Sequence, residues 1–476
     1  MNKKEIPYIL ALCPIILLIG LLAYNVILYG DDSLSGANQI ALILASAIAI
    51  IIGTNFGTKW TSILDGISKG ISNTTSAMII LLLIGALAGT WLLSGIIPAM
   101  IYYGLQILNP KIFLFATVII SAIISIATGS SWSTIATIGI ALLGIGKALG
   151  LPVGLIGGAI ISGAYFGDKM SPLSDTTNLA PAMTGTDLFT HIRYMMYTTI
   201  PSFIITLIIF LIIGYSYQSI ESQNVDDILN TIINSFQITG WLFLAPTIVI
   251  LLIINKTPAI PALFAGIILG AITAIILQPE IIKEISGSNK LTINSIYISL
   301  INAMATSLEI KTNNEMVNSL LCTHGMSGML NTIWLIICGM IFGGSMEATG
   351  MLNRIAEPVI KYSKSTGSLV GTTAGTCIFF NITTSDQYLS IIVPGRMFAN
   401  AYKEKGLAAE NLSRTLEDSG TVTSVLIPWN TCGATQSAVL GISTLTYLPY
   451  CFFNIISPIM TITIAYLGIK IKKLTK

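Results

Sequence analysis

The segment GAYFGDKMSPLSDTTNLAPAMTGTD, residues 163–187, gathers the residues best suited to chemistry. Asp168, Lys169 and Asp175 surround Pro172, with Ser171, Ser174, Thr176, Thr177 and Asn178 close by. An apolar, glycine-rich stretch precedes them, which places these charges at membrane depth. A charge there costs about 2.5–3.5 kcal/mol on insertion scales, so several together need a reason. Pro172 is expected to break the helix and free backbone carbonyls. Carbonyls, hydroxyls and carboxylates are hard oxygen ligands that suit a cation such as Na+. A partly buried carboxylate can instead hold a proton. One Asp that takes either is the simplest device for exchange. The competing reading is a solvated surface loop in which Lys169 neutralises its neighbour Asp168.

A second polar cluster holds Asn381, Thr383, Thr384, Ser385, Asp386 and Gln387 in NITTSDQ. Its counterpart upstream is Thr128, Gly129, Ser130 and Ser131 in SIATGSS. Both read as tips of re-entrant hairpins, which membranes tolerate only where polar backbone lines a cavity. The alternative is an ordinary Asx or Ser turn at the surface. The segment VLIPWNTCGATQS, residues 425–437, matches the Pro172 region but keeps only Pro428, Asn430 and Thr431, with no carboxylate. The two half-sites are therefore chemically unequal.

Lesser candidates are Glu347 near a helix end and Glu417-Asp418 in RTLEDSG. Arg414 stands three residues before Glu417, so an intrahelical ion pair explains that cluster equally well. His191 and His324 are flanked by loop residues and read as surface groups. Trp91, Trp132, Trp334 and Trp429 read as interfacial anchors. The six cysteines show no CxxC or Cys/His spacing, which argues for buried thiols over disulfides or zinc. No Walker A or nucleotide-binding glycine fingerprint appears, against an ATP-driven pump in this chain. No HExxH pairing supports a membrane metalloprotease. No resident cofactor is implied.

The elements that must position these residues are membrane helices. Of 476 residues, 53% are hydrophobic and 9% charged, with a mean hydropathy of +0.82. An ordinary soluble domain has about 25% charged residues. Apolar surface must face lipid. The net charge of +2 gives no reason to expect a nucleic-acid partner. Clear spans are predicted at 8–29, 37–56, 77–93, 194–217, 240–254, 260–277, 327–346 and 445–467. The first is too long for a signal-peptide core. Regions 113–183 and 367–441 are apolar but interrupted, while 57–76 and 278–325 read as amphipathic surface segments.

Lys3 and Lys4 at one end, and Lys470, Lys472, Lys473 and Lys476 at the other, predict cytoplasmic termini. The central connection, 218–237, carries Glu221, Asp226 and Asp227 without Lys or Arg, and is expected outside. Each half, 1–235 and 236–476, then crosses an odd number of times, which inverts one against the other. The halves share a sequence offset of 256 (384 − 128). At that offset Lys147, Gly150-Leu151 and Pro172 meet Lys403, Gly406-Leu407 and Pro428, and one residue off it Ser94-Gly95 meets Thr349-Gly350. The expected fold class is an all-α polytopic membrane protein of two inverted repeats with broken helices and re-entrant hairpins. That architecture marks secondary transporters, with the site near the midplane.

GDKMSPLSDTTNLAP, with upstream ATGSSWST and downstream FGGSMEATGML and NITTSDQYLSIIVPGRMF, resembles the NhaC-type sodium/proton antiporter family. The resemblance runs from about Tyr8 to Leu467. It implies a bacterial or archaeal inner-membrane protein exchanging Na+ for H+. It points to Asp168, Ser171, Asp175, Thr177 and Asn178 as ion-site candidates, with Asp386 opposite; among these, Asp168, Asp175, Asn178 and Asp386 are read as the Na+ ligands. Thr176, Thr128, Ser130, Ser131, Asn381, Thr384, Ser385, Asn430 and Thr431 complete the expected ion or substrate site by position. Asp175 is the first choice for a carboxylate shared by Na+ and H+, because it follows the Pro172 break and adjoins Thr176, Thr177 and Asn178; Asp168 is the second, because adjacent Lys169 would neutralise it. The runner-up function is Na+- or H+-coupled carriage of a small organic anion or amino acid, such as malate/lactate exchange. Free Lys or Arg near the tips would favour it, and Lys169 and Arg396 are the obvious ones. Lipid, Na+ and H+ are the expected partners; a homodimer is compatible with the sequence and not specified by it.

Overall fold

The computed structural model describes residues 5–29, 33, 35–107, 109–216, 222–255, 257–361 and 365–474. Lys3, Lys4, Lys476 and residues 218–221 of the central connection lie outside the described residues. A chain in lipid must satisfy its backbone internally, and a helix does so within each segment. Among the described residues, eight helices are long and apolar enough to span a membrane, or up to ten if each of two bent pairs is one span. Strand is limited to a ribbon of Leu308–Glu309 against Cys322–Thr323. The protein is an all-α, multi-pass membrane protein.

The helix Tyr8–Tyr29 has the predicted bounds, and Ala37–Asn55 and Ala259–Leu277 fall within one residue of theirs. The spans predicted at 240–254 and 445–467 belong to bent pairs. Val225–Ser235 meets Gly240–Ile254 at 90°, and Thr444–Tyr450 meets Phe452–Tyr466 at 55°. One expectation is corrected. The predicted surface segment 57–76 and span 77–93 form a single helix, Trp60–Leu93. At 34 residues it is about 51 Å long. No proline interrupts it, and Gly66 packs against Gly344 and Ala348, so the polar stretch stays helical.

Polarity is turned inside out. Ile9, Ile27, Ile212 and Ile276 face outward, while Lys169, Arg414, Glu417 and Asp418 are fully buried. Trp91 is also buried and donates to the Gly266 carbonyl at 3.1 Å, so it is a packing residue and not an interfacial anchor. Of the cysteines, Cys338, Cys377, Cys432 and Cys451 are buried thiols, whereas Cys13 and Cys322 are exposed.

The site is positioned by backbone events that recur at one offset. The helix Phe113–Thr128 ends at Gly129 with φ 68°, and Thr366–Thr384 ends at Ser385 with φ 58°. Gly150 and Gly406 have φ 72° and 67°, and Gly185 and Gly441 have φ 77° and 63°. Each pair is 256 residues apart (385 − 129, 406 − 150, 441 − 185). A side chain repeats too: Ser125 donates to Ala164 O at 2.6 Å, and Asn381 donates to Gly420 O at 2.7 Å. Ser125 sits where Val153–Met170 crosses Phe113–Thr128. A Cβ at Gly163 or Gly167 would lie 2.2 Å from Val118 O or 2.4 Å from Ala122 O. The two backbones therefore touch, as small residues allow between membrane helices.

Candidate functional site

The helix Val153–Met170 stops because Pro172 cannot donate to a helical ladder. Ser171 fastens the break to the first tip by donating to Ile126 O at 2.8 Å. Ser174 then caps Asp175–Thr184, accepting from Thr177 N at 3.4 Å. The Asn178 amide closes the turn, donating to Pro172 O and Ser174 O at 2.9 and 2.7 Å. In the other half the break precedes Asn430, which caps Thr431–Leu440 through Cys432 N at 3.0 Å. Asn430 also donates to Asn381 O at 3.1 Å, and Thr431 N donates to Ser385 O at 2.9 Å. These bonds lash the second break to the second tip.

Between the breaks and tips lies a cavity of about 780 Å³. Of the expected site residues, Thr128, Ser130, Asp168, Asp175, Thr176, Asp386 and Thr431 line it. Thus both halves contribute. Ser131, Ser171, Thr177, Asn178, Asn381, Thr384, Ser385 and Asn430 do not line it. Most of these tie the lining in place. Ser131 is the clearest, donating from both its N–H and its hydroxyl to Asp168 Oδ2, at 3.2 and 2.7 Å. Thr177 donates to the Asp168 and Lys169 carbonyls at 3.2 and 3.0 Å.

The three lining carboxylates differ. Asp168 is buried and oriented. Asp386 is buried and also caps the following turn, accepting from Leu389 N at 2.8 Å. The Asx-turn reading of this tip is thus true of its hydrogen bonding, though the turn faces a cavity. Asp175 is exposed at the start of its helix. Among the described residues, no group of three or more His, Cys, Asp or Glu is close enough to hold one metal ion. A bound cation would therefore draw on hydroxyls and carbonyls as well as carboxylates. Among the described lining residues there is no Lys, Arg or His.

Several residues were missed by sequence reasoning. Asn73, Thr74 and Ser76 of Trp60–Leu93 line the cavity, as do Tyr388 and Ser133; Trp132, read from sequence as an interfacial anchor, and Gln387 of the expected second cluster line it too. Their signal was a polar cluster, Asn73 to Ser76, directly before an apolar run. Lys169 does not neutralise Asp168. It is bonded to Asp418, 249 residues away, and to Ser457 at 3.1 Å. Consecutive helical residues point about 100° apart, so Asp168 and Lys169 serve different neighbours. The Arg414–Glu417 pair is absent too. Arg414 stacks on the Tyr194 ring at 4.6 Å and donates to Lys470 O at 3.5 Å. His191 is buried and bonded to Ser413 at 2.8 Å, which corrects its reading as a surface group. Glu347 is exposed in the last turn of Leu330–Thr349, and Arg396 is exposed.

Comparisons with known proteins identify the family. Residues 163–469 match the Na+/H+ antiporter family. The Na(+)/H(+) antiporter NhaC of Alkalihalophilus pseudofirmus is 37% identical over 435 residues, 91% of each chain. The malate-2H(+)/Na(+)-lactate antiporter of Bacillus subtilis is also 37% identical, over 90% of this chain and 89% of that one. Among solved structures, the YdaH transporter of Alcanivorax borkumensis aligns over 98% of this chain and 99% of its own. Its identity is 11% and its TM-score 0.40, too low to bear on the site. The chain belongs to the Na+/H+ antiporter family and is of the NhaC type.

Proposed function

We propose that this chain is a secondary antiporter that exchanges Na+ for H+ at the cavity between its halves, across a bacterial or archaeal cell membrane. The observation that carries the reading is the lining: three carboxylates and a set of hydroxyls, with no cationic side chain among the described residues. Such a wall favours a cation and disfavours a free anion. An exchanger must not return carrying both ions. The economical solution is a carboxylate at which Na+ and H+ exclude each other. Asp168 is the leading candidate. In the sequence alone Asp168 ranks behind Asp175 because Lys169 is expected to neutralise it, but Lys169 is engaged by Asp418. Asp168 is also buried and held by Ser131, whereas Asp175 is exposed.

Protonation removes the charge that binds Na+, and Na+ favours the ionised form. By linkage, Na+ affinity falls as pH falls, and adding Na+ releases protons. Calorimetric Na+ affinity across about pH 6 to 9 checks this. It should weaken by up to about tenfold per unit toward acid in the unmodified protein. Asp168→Asn should abolish the pH dependence, and Asp175→Asn should leave most of it. An affinity that does not change with pH overturns the shared carboxylate.

The runner-up, carriage of a small organic anion, is named for the Bacillus subtilis relative. It required a free cation near the tips. Lys169 is paired and Arg396 does not line the cavity, so among the described residues that reading has no partner for the anion. The repeated backbone events support two related halves. Their inversion, and cytoplasmic termini, belong to this same reading.

A further inference from the structure

Behind the cavity lies a second polar compartment that the shared carboxylate does not use. It forms where the helix Ala409–Leu416 runs into a five-residue π segment, Glu417–Thr421. Such segments recur at functional sites, because the widened turn takes groups off the regular ladder. Asp418 is partnered there by Lys169 and Ser457. Glu417 is not. It is fully buried, and neither carboxyl oxygen has a hydrogen-bond partner among the described residues.

The groups around Glu417 come from every side. Thr421 and Thr176 stand beside it, the latter on the helix Asp175–Thr184 packed against the π segment, and Lys169 and Asp168 are the charges within electrostatic range. Helix Thr366–Thr384 offers Asn381, whose amide goes to Gly420 O. Helix Phe452–Tyr466 offers Asn454, whose amide goes to Val422 O. Helix Leu389–Glu404 offers Ser390, which donates to Gln387 O. Arg414, one turn back, is stacked on Tyr194. No cation therefore closes on Glu417. A carboxylate buried away from bulk water with no ion-pair partner is so costly that the group takes a proton instead.

Position decides what that proton can do. Thr176 lines the cation cavity and also stands beside Glu417. Further polar atoms beyond it, on Ser419, Asn454 and Thr461, are buried without protein partners. Clustered orphans of this kind are places that ordered water fills.

We propose that Glu417 is a second proton-binding site, separate from the cation cavity, whose proton is released when Na+ enters. The O–H bond of the Glu417 carboxyl breaks, the proton leaves to water, and the carboxylate faces Lys169. The Na+-free protein then holds one proton in the cavity and one at Glu417, so more than one proton moves for each Na+.

This rests on the Na+/H+ reading above. Calorimetry of Na+ binding in buffers of different ionisation enthalpy counts the protons released by the purified full chain. The unmodified protein should release more than one proton per Na+ at a pH where both groups are protonated. Glu417→Gln should release about one fewer while still binding Na+, and Glu417→Asp should restore the count. An unchanged count in Glu417→Gln overturns the proposal. Release of no protons by the unmodified protein overturns instead the antiport reading itself. If Glu417→Gln does not fold, Na+-induced infrared difference spectra of the unmodified chain decide. Loss of two protonated-carboxyl bands supports the second site, and loss of one overturns it.

Discussion

The two helix breaks, at 171–174 and at 427–430, share a backbone and differ in charge. Each carries a proline and a capping residue, Pro172 with Ser174 and Pro428 with Asn430, and each cap opens a ten-residue helix. Yet Asp168 and Asp175 flank the first break and no carboxylate flanks the second. The tips reverse the arrangement: Ser130 stands in the first and Asp386 in the second. Even the bond from Thr128 to Ser130 O, at 3.4 Å, recurs from Thr384 to Asp386 O at 3.4 Å. The comparison teaches that scaffold and chemistry are separable. A cap or a left-handed turn needs only a small polar residue or glycine. A cation site needs a charge total matched to its ion, so one half need not duplicate the carboxylates of the other.

The comparison breaks hardest at Asp386. Asp386→Asn keeps an oxygen for Leu389 N–H and so keeps the cap. It loses the charge. A charged contact is worth about 1.5–3 kcal/mol, so Na+ affinity should drop about tenfold to a hundredfold, with exchange in proteoliposomes falling accordingly. Normal exchange in a well-expressed protein would reduce Asp386 to a helix cap.

A smaller effect separates the two tips themselves. A Cβ at Gly129 would meet Leu173 Cβ at 2.5 Å, and its φ of 68° is one that L residues avoid. Gly129→Ala should lower stability by more than about 2 kcal/mol, left-handed geometry alone costing about 1–2. Ser385 already bears the same strain at φ 58°. Ser385→Gly should therefore leave stability unchanged or raise it by up to about 1 kcal/mol. Thermal unfolding in detergent measures both. If Ser385→Gly instead loses exchange at unchanged stability, this tip is needed for transport and not only for folding.

The gentlest test concerns orientation. Single cysteines in 222–235, in a background lacking Cys13 and Cys322, should react with an impermeant thiol reagent in intact cells. Cysteines near Lys470 should be protected. The reverse pattern would flip the orientation and keep the inversion; labelling of both sets, or of neither, would remove the inversion and leave a repeat without it.

Much of this protein is determined by its sequence alone. A length of 22 apolar residues suffices to make Tyr8–Tyr29 a membrane helix, because lipid forces the backbone to bond within the segment. Pro172 and Pro428 announce the breaks, since a missing N–H acts locally. The 256-residue offset announces the repeated turns. What the sequence left undecided was which polar groups face which neighbours. Only the tertiary fold sends Lys169 to Asp418 across 249 residues, turns Asp168 toward Ser131, and brings Asn73 to Ser76 to the cavity wall. Adjacent residues on a helix diverge by about 100°, so sequence neighbours such as Asp168 and Lys169 part company. The choice of partner then depends on how distant helices cross, and here the crossing is set by backbone contact at Gly163 and Gly167.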